Sequence, residues 1–121
     1  IGYTAPEIVL GEPYTPKVDL WAVGVITYIL LSGIAPFFGN EQQIFDQIAR
    51  LEYDFPEEYF QTISKSAIDF IKTMLQPADR RPTAEESLIL PWMTREELST
   101  VDMRTSKGLQ EYMRARRQSD L

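Results

Sequence analysis

The stretch Val18-Asp19-Leu20-Trp21-Ala22-Val23-Gly24-Val25-Ile26-Thr27-Tyr28-Ile29-Leu30-Leu31-Ser32-Gly33 decides the fold. Leu20, Trp21, Val23, Val25, Ile26, Ile29, Leu30 and Leu31 put apolar side chains on nearly every side of a helix. A helix of that kind has no solvent face and must be covered from several directions. It is therefore expected at the centre of the fold. Thr15 can cap it, with Pro16 at the first position, where a missing N–H is no loss. Ser32-Gly33 ends it, and Pro36 lies just beyond. The apolar run from Leu20 to Leu31 is interrupted by Thr27 and Tyr28 and is shorter than the ~20 residues needed to cross a bilayer. It reads as a buried core helix, with no membrane span.

Outward from this helix, Ala5 to Leu10 can form a short helix, and Gly11-Glu12-Pro13-Tyr14 reads as a loop. Asn40 with Gln43 three residues on marks a helix start, followed by the stripe Ile44, Phe45, Ile48 and Ala49. Tyr53 to Phe60 is an aromatic, proline-containing connection. Ser64 can cap a further helix with the stripe Ala67, Ile68, Ile71, Met74 and Leu75, stopped by Pro77. Thr83 with Glu86, and Thr94 with Glu97, both fit a capping box. A last helix is expected from about Ser106 to Gln118. No alternation is long enough for a sheet, and no repeat or low-complexity stretch occurs. The fold class expected is all-α.

Composition removes several kinds of chemistry. Asp and Glu number 18 against 12 Lys and Arg, a net charge of −6, which argues against the basic face that nucleic acid needs. There is no cysteine, so disulfide and thiolate chemistry are excluded. There is no histidine, which excludes a Ser-His-Asp triad and any His-ligated metal within these residues. Ile1-Gly2-Tyr3-Thr4 has neither the basic nor the apolar region of a signal peptide, and with no initiator Met it reads as a cut end.

The motifs gain weight from their order. Gly2-Tyr3-Thr4-Ala5-Pro6-Glu7 is followed by Asp19-x-Trp21-x-x-Gly24, then Gly33-x-x-Pro36-Phe37, then Arg81-x-Thr83-Ala84, then Pro91-Trp92. Over residues 1 to 93 this series resembles the C-terminal, helical lobe of a protein kinase catalytic domain. The resemblance implies a structural ion pair between Glu7 and Arg81 that holds the substrate-binding loop on the lobe. A guanidinium fork suits that task because it matches a carboxylate bidentately and stays charged when desolvated. Asp19 would anchor the catalytic loop by accepting its backbone N–H groups; the macrodipole also favours an Asp in a first helical turn. Ile1 and Thr4 would wall the substrate pocket, with Tyr3 as its support. Ile29 stands where some basophilic kinases carry Glu, so selection of a basic substrate residue would need other carboxylates such as Glu12 or Glu41.

Other kinase motifs are missing from these residues. There is no Gly-x-Gly-x-x-Gly, no His-Arg-Asp, and Asp69-Phe70 is followed by Ile71 rather than Gly. Phosphoryl transfer needs a positioned metal and a base for the hydroxyl proton. The expectation is therefore that these residues contain no catalytic or metal-binding residue and bind no cofactor, with ATP and Mg2+ belonging to the parent kinase. The resemblance also implies that parts preceding Ile1 cover the central helix, so the 121 residues alone are expected to be marginally stable. An alternative is a kinase-like, non-catalytic protein-interaction module.

Within the family, Gly2-Tyr3, Gly24-Val25-Ile26-Thr27-Tyr28-Ile29-Leu30-Leu31-Ser32-Gly33, Glu52-Tyr53-Asp54-Phe55 and Ser66-Ala67-Ile68-Asp69-Phe70-Ile71 are similar to the calcium/calmodulin-dependent group of serine/threonine kinases. Residues 94–121 resemble the start of that group's regulatory tail. Leu109, Tyr112 and Met113 fall on one helical face with Arg114, Arg116 and Arg117 beside them, the pattern of a helix laid in a groove or of a solvated tail helix. The resemblance implies a protein substrate, an intracellular, cytoplasmic location, and calmodulin as a candidate partner through a tail continuing beyond Leu121. The chain departs from the family's pattern at Ile1, at Pro77-Ala78 and at Leu90.

Overall fold

A long central helix carries the aromatic half of the chain on one side and a second helix across another. The computed structural model describes residues 2–94 and 114–115. Its elements in chain order are α1 (Pro6–Val9), α2 (Val18–Ser32), α3 (Glu41–Arg50), α4 (Glu57–Phe60), α5 (Lys65–Met74), α6 (Ala84–Ser87) and α7 (Pro91–Thr94). No strand occurs among the described residues, and the fold is all-α.

Helix α2 begins at Val18, later than Thr15-Pro16 suggests. The Thr15 hydroxyl accepts from the Lys17 N–H at 3.3 Å. The Thr15 and Pro16 carbonyls accept from Val18 and Asp19, three residues on. That spacing makes a tight turn feeding the helix rather than its first α-turn. At the other end Gly33 takes the left-handed conformation, φ 80°, and donates its N–H to the Ile29 carbonyl at 2.8 Å. Only glycine enters that conformation without a Cβ penalty.

Local capping chemistry sets the other starts. At α3 the Asn40 side chain accepts from the Gln43 N–H and the Gln43 side chain accepts from the Asn40 N–H, at 2.9 and 2.8 Å. Thr83 and Glu86 repeat the arrangement at α6. Ser64 caps α5 by accepting from the Ala67 N–H. Each such cap satisfies end donors that would otherwise lack partners, a contribution of about 1 kcal/mol. The short helices α4 and α7 were not expected from periodicity.

The core gathers on α2. Trp21, Val25, Tyr28 and Ile29 are buried together with Phe37, Ile48, Phe60, Ile71 and Leu75. Trp21 stacks on Phe37 at 5.7 Å, and the rings continue edge to face through Tyr53, Phe55 and Phe60 back to Tyr28. Each such contact adds about 0.5–1.5 kcal/mol beyond the burial of area. A second cluster joins Leu20 of α2 to Phe70 and Met74 of α5, with Leu90 and Trp92 against it. One face of α2 stays open: Val23, Ile26 and Leu30 are 40%, 46% and 41% exposed. No helix among the described residues is long and apolar enough to cross a membrane.

Candidate functional site

Arg81 is the point at which three parts of the chain meet. It lies in the loop between α5 and α6 and is almost wholly buried. Its Nη1 donates to Glu7 Oε2 at 2.8 Å, and its Nη2 donates to Glu7 Oε1 at 2.9 Å. Nη1 also reaches the Lys17 carbonyl at 2.9 Å, and Nε and Nη2 both reach the Gln76 carbonyl, at 3.1 and 2.8 Å. The guanidinium lies over the Trp21 ring at 5.3 Å. One planar group thus ties α1, the entry to α2 and the exit from α5 into a single arrangement. A lysine could not do this, since its ammonium lacks the fork.

Glu7 is equally enclosed. Burial opposes its ionisation, but the hydrogen bonds from Arg81 and from its own backbone, and then the charge of Arg81, outweigh that and hold the carboxyl below its ordinary value of 4.5. The pair is ionised, buried and bidentate. Such pairs fix geometry more than they add net stability, and removing one partner strands the other charge. Trp21 is fully buried and its Nε1 has no hydrogen-bond partner among the described residues. Its place therefore rests on packing, on the Phe37 stack and on the guanidinium over its ring.

Beyond α1, the opening segment borders an apolar pocket. Gly2 and Tyr3 line it with Val25 and Ile29 of α2 and with Ala35, Pro36 and Phe37. Its volume is about 230 Å³. Tyr3 stands partly exposed at this pocket, Thr4 is half-buried beside it in sequence, and Ile1 lies outside the described residues. Ile29 gives the pocket an apolar wall, and among the described residues no carboxylate lines it. Glu12 instead lines a different cleft, with Asp79.

Asp19 is exposed in the first turn of α2, and its side chain makes no hydrogen bond or ion pair with another described residue. Arg114 is helical and exposed. Leu109, Tyr112, Met113, Arg116 and Arg117 lie outside the described residues, as does the Thr94–Glu97 box in its second member. Among the described residues, no three acidic side chains come together to hold a metal ion.

Two features escaped the sequence reading. The carbonyls of Lys17 and Gln76 complete the shell of Arg81, and backbone acceptors carry no sequence signal. The Tyr28 hydroxyl donates to the Asp54 carbonyl at 2.7 Å, tying α2 to the aromatic connection.

The family model described as "Protein kinase domain" matches residues 1–93. The chain is 43% identical to serine/threonine-protein kinase 17A of Oryctolagus cuniculus, over 90% of this chain and 28% of that protein. It is 39% identical to calcium/calmodulin-dependent protein kinase type 1 of Macrobrachium nipponense, over 87% of this chain and 31% of that one. Among solved structures, the autoinhibited serine kinase domain of the giant muscle protein titin superposes with a TM-score of 0.82 at 39% identity, covering 92% of this chain and 36% of that one. The chain belongs to the protein kinase domain family. It corresponds to part of the helical lobe of that domain and is similar to serine/threonine kinases that include a calcium/calmodulin-dependent one. It spans a third or less of the length of the curated relatives named here.

Proposed function

We propose that these residues form the substrate platform and lobe core of a serine/threonine kinase that transfers the γ-phosphate of ATP to a protein Ser or Thr. The observation that carries this reading is the buried Arg81–Glu7 pair, which holds the opening segment against α2 beside the Tyr3–Ile29 pocket. Glu7 and Arg81 act by position: they keep Gly2, Tyr3 and Thr4 at the height at which a substrate backbone meets the lobe. Ile1 and Thr4 wall the place taken by the residue next to the phosphoacceptor, Thr4 standing outside the lining of the Tyr3–Ile29 pocket, and Asp19, exposed at the start of α2, receives the catalytic loop. ATP and Mg2+ bind to parts of the kinase other than these 121 residues, which alone are inactive. The tail from Thr94 onward, carrying Leu109, Tyr112, Met113, Arg114, Arg116 and Arg117, is a regulatory segment, and calmodulin is its partner. The similarity to a kinase named for calcium and calmodulin supports that partner. An intracellular, cytoplasmic location is consistent with these roles.

The test is phosphate transfer from radiolabelled ATP to a Ser/Thr peptide library by the full-length protein. Transfer is expected, and Arg81→Ala should lower it at least as much through KM for peptide as through kcat. No transfer by a folded, ATP-saturated protein would sink the enzymatic reading and leave a non-catalytic interaction module. Titration with calcium-loaded calmodulin addresses the tail separately, with calcium-dependent binding expected.

A further inference from the structure

A second concavity lies apart from the Tyr3–Ile29 pocket and shares no lining residue with it. It is a cleft of about 400 Å³ whose lining includes Leu10, Glu12, Pro13, Leu51, Ala78 and Asp79. Three segments remote in sequence build it: the turn after α1, the end of α3 and the loop after α5.

Backbone bonds hold each segment in place. The Glu12 N–H donates to the Glu7 carbonyl at 2.8 Å. Leu51 closes α3 in the left-handed conformation, φ 56°, while the Glu52 N–H returns to the Gln47 carbonyl at 2.8 Å. The Arg80 and Arg81 N–H groups both donate to the Pro77 carbonyl at 3.0 Å, and Lys17 Nζ donates to the Ala78 carbonyl at 3.4 Å. A cleft already held in shape loses little freedom when it is filled.

Its chemistry is mixed in a specific way. Leu10, 56% exposed, and Pro13 offer an open apolar wall with Leu51. The Glu7 carboxylate is neutralised by Arg81. Glu12 and Asp79 are exposed, and neither side chain makes an ion pair or hydrogen bond with another described residue. Over residues 1–94 acidic side chains outnumber basic ones, thirteen to six, so the wider surface reinforces the attraction.

We propose that this cleft docks a peptide segment of a protein partner in which arginine or lysine stands beside an aliphatic residue. The aliphatic side chain lies on Leu10, Pro13 and Leu51, and the cation meets Glu12 and Asp79. The basic side chain contributes its own methylene stem to the apolar wall. Because this surface is separate from the Tyr3–Ile29 pocket, a protein held here leaves that pocket free.

The experiment is equilibrium binding to the full-length protein by fluorescence polarisation. The probe is a labelled peptide Ala-Arg-Leu-Arg-Leu-Ala, with Ala-Glu-Leu-Glu-Leu-Ala as control. Saturable binding of the basic peptide alone is expected, weakening with added salt. The double variant Glu12→Lys, Asp79→Lys should weaken it about tenfold or more, and Leu10→Ser should weaken it at constant salt. All three side chains are exposed, so melting temperatures should hold. Absence of saturable binding overturns the proposal. So does affinity that is indifferent to the charge reversals, or that responds to them but not to Leu10→Ser, which would mean bulk attraction without a groove. The readout needs neither ATP nor turnover, so its failure is distinct from failure of the kinase reading.

Discussion

A Cβ on Gly24 would lie 2.7 Å from the Met74 Cβ and 3.0 Å from Leu75 Cδ2, so α2 and α5 cross with no room for a methyl group between them. Met74 is fully buried, and its Cβ moves only with its helix. Gly24→Ala must push the helices apart. Overpacking costs about 1–3 kcal/mol, and the gain in helix propensity returns at most about 1 kcal/mol. A net loss of up to roughly 2 kcal/mol is expected. Urea melts of the full-length protein would read it, and an unchanged midpoint would show that the crossing has slack.

Arg81→Lys should behave as a severe substitution. It keeps the charge but gives up the bidentate pairing with Glu7 and most of the bonds to the Lys17 and Gln76 carbonyls. Glu7→Ala leaves a buried cation unpaired, a loss of about 3–5 kcal/mol. A double-mutant cycle should show strong coupling, with Glu7→Leu plus Arg81→Met less harmful than the two single losses added. Additive losses would mean that the two side chains contribute independently.

The pH dependence of stability follows from Glu7. Its carboxyl titrates below 4.5 in the folded protein, so the folded state holds fewer protons than the unfolded state in that range. Its contribution is fully present above 4.5 and is lost as pH falls through the lower, folded value. Glu7→Gln should flatten the acid limb of a plot of stability against pH. An identical acid limb in wild type and variant would assign acid sensitivity to other carboxyls.

Tyr28→Phe removes the hydroxyl that donates to the Asp54 carbonyl and leaves that acceptor short of a partner. A loss of about 1–2 kcal/mol is expected, measurable by thermal melting. Alkaline titration tests the same region. Burial pushes the Tyr53 hydroxyl up to about 12 and, together with the charges of Asp54 and Tyr53, pushes Tyr28 higher still. Both rings should stay protonated at pH 10. The unfolded state releases those protons first, so stability should decline as pH rises from 10 upward. Ionisation of Tyr28 and Tyr53 near pH 10 would show that the aromatic cluster is open to water.

What could be read from the sequence was what neighbours along the chain determine. Asn40 with Gln43, Thr83 with Glu86, and Ser64 are local devices, and each marks its helix start within the same few residues. Gly33 likewise marks the end of α2. Helices α4 and α7 have four residues each, too few for a period to show, although Pro56-Glu57-Glu58 and Pro91 carry start signals. Thr15-Pro16 has the residues of a cap but forms a turn, because its carbonyls bond three residues ahead. The Glu7–Arg81 pairing came through resemblance, since no local rule joins residues that far apart. The cleft of Glu12 and Asp79 was illegible for the same reason: only the fold brings the ends of α1, α3 and α5 together.

The Glu7–Arg81 bonds join positions 74 residues apart, and this separation has a kinetic meaning. Ordering so long a loop is entropically unfavourable until α2 and α5 already stand beside each other. The bonds should therefore close after the rate-limiting barrier to folding and break before the barrier to unfolding. Substitutions at either end would then leave the refolding rate nearly untouched while hastening escape from the native state. Chain lifetime, rather than speed of assembly, is the property this contact governs.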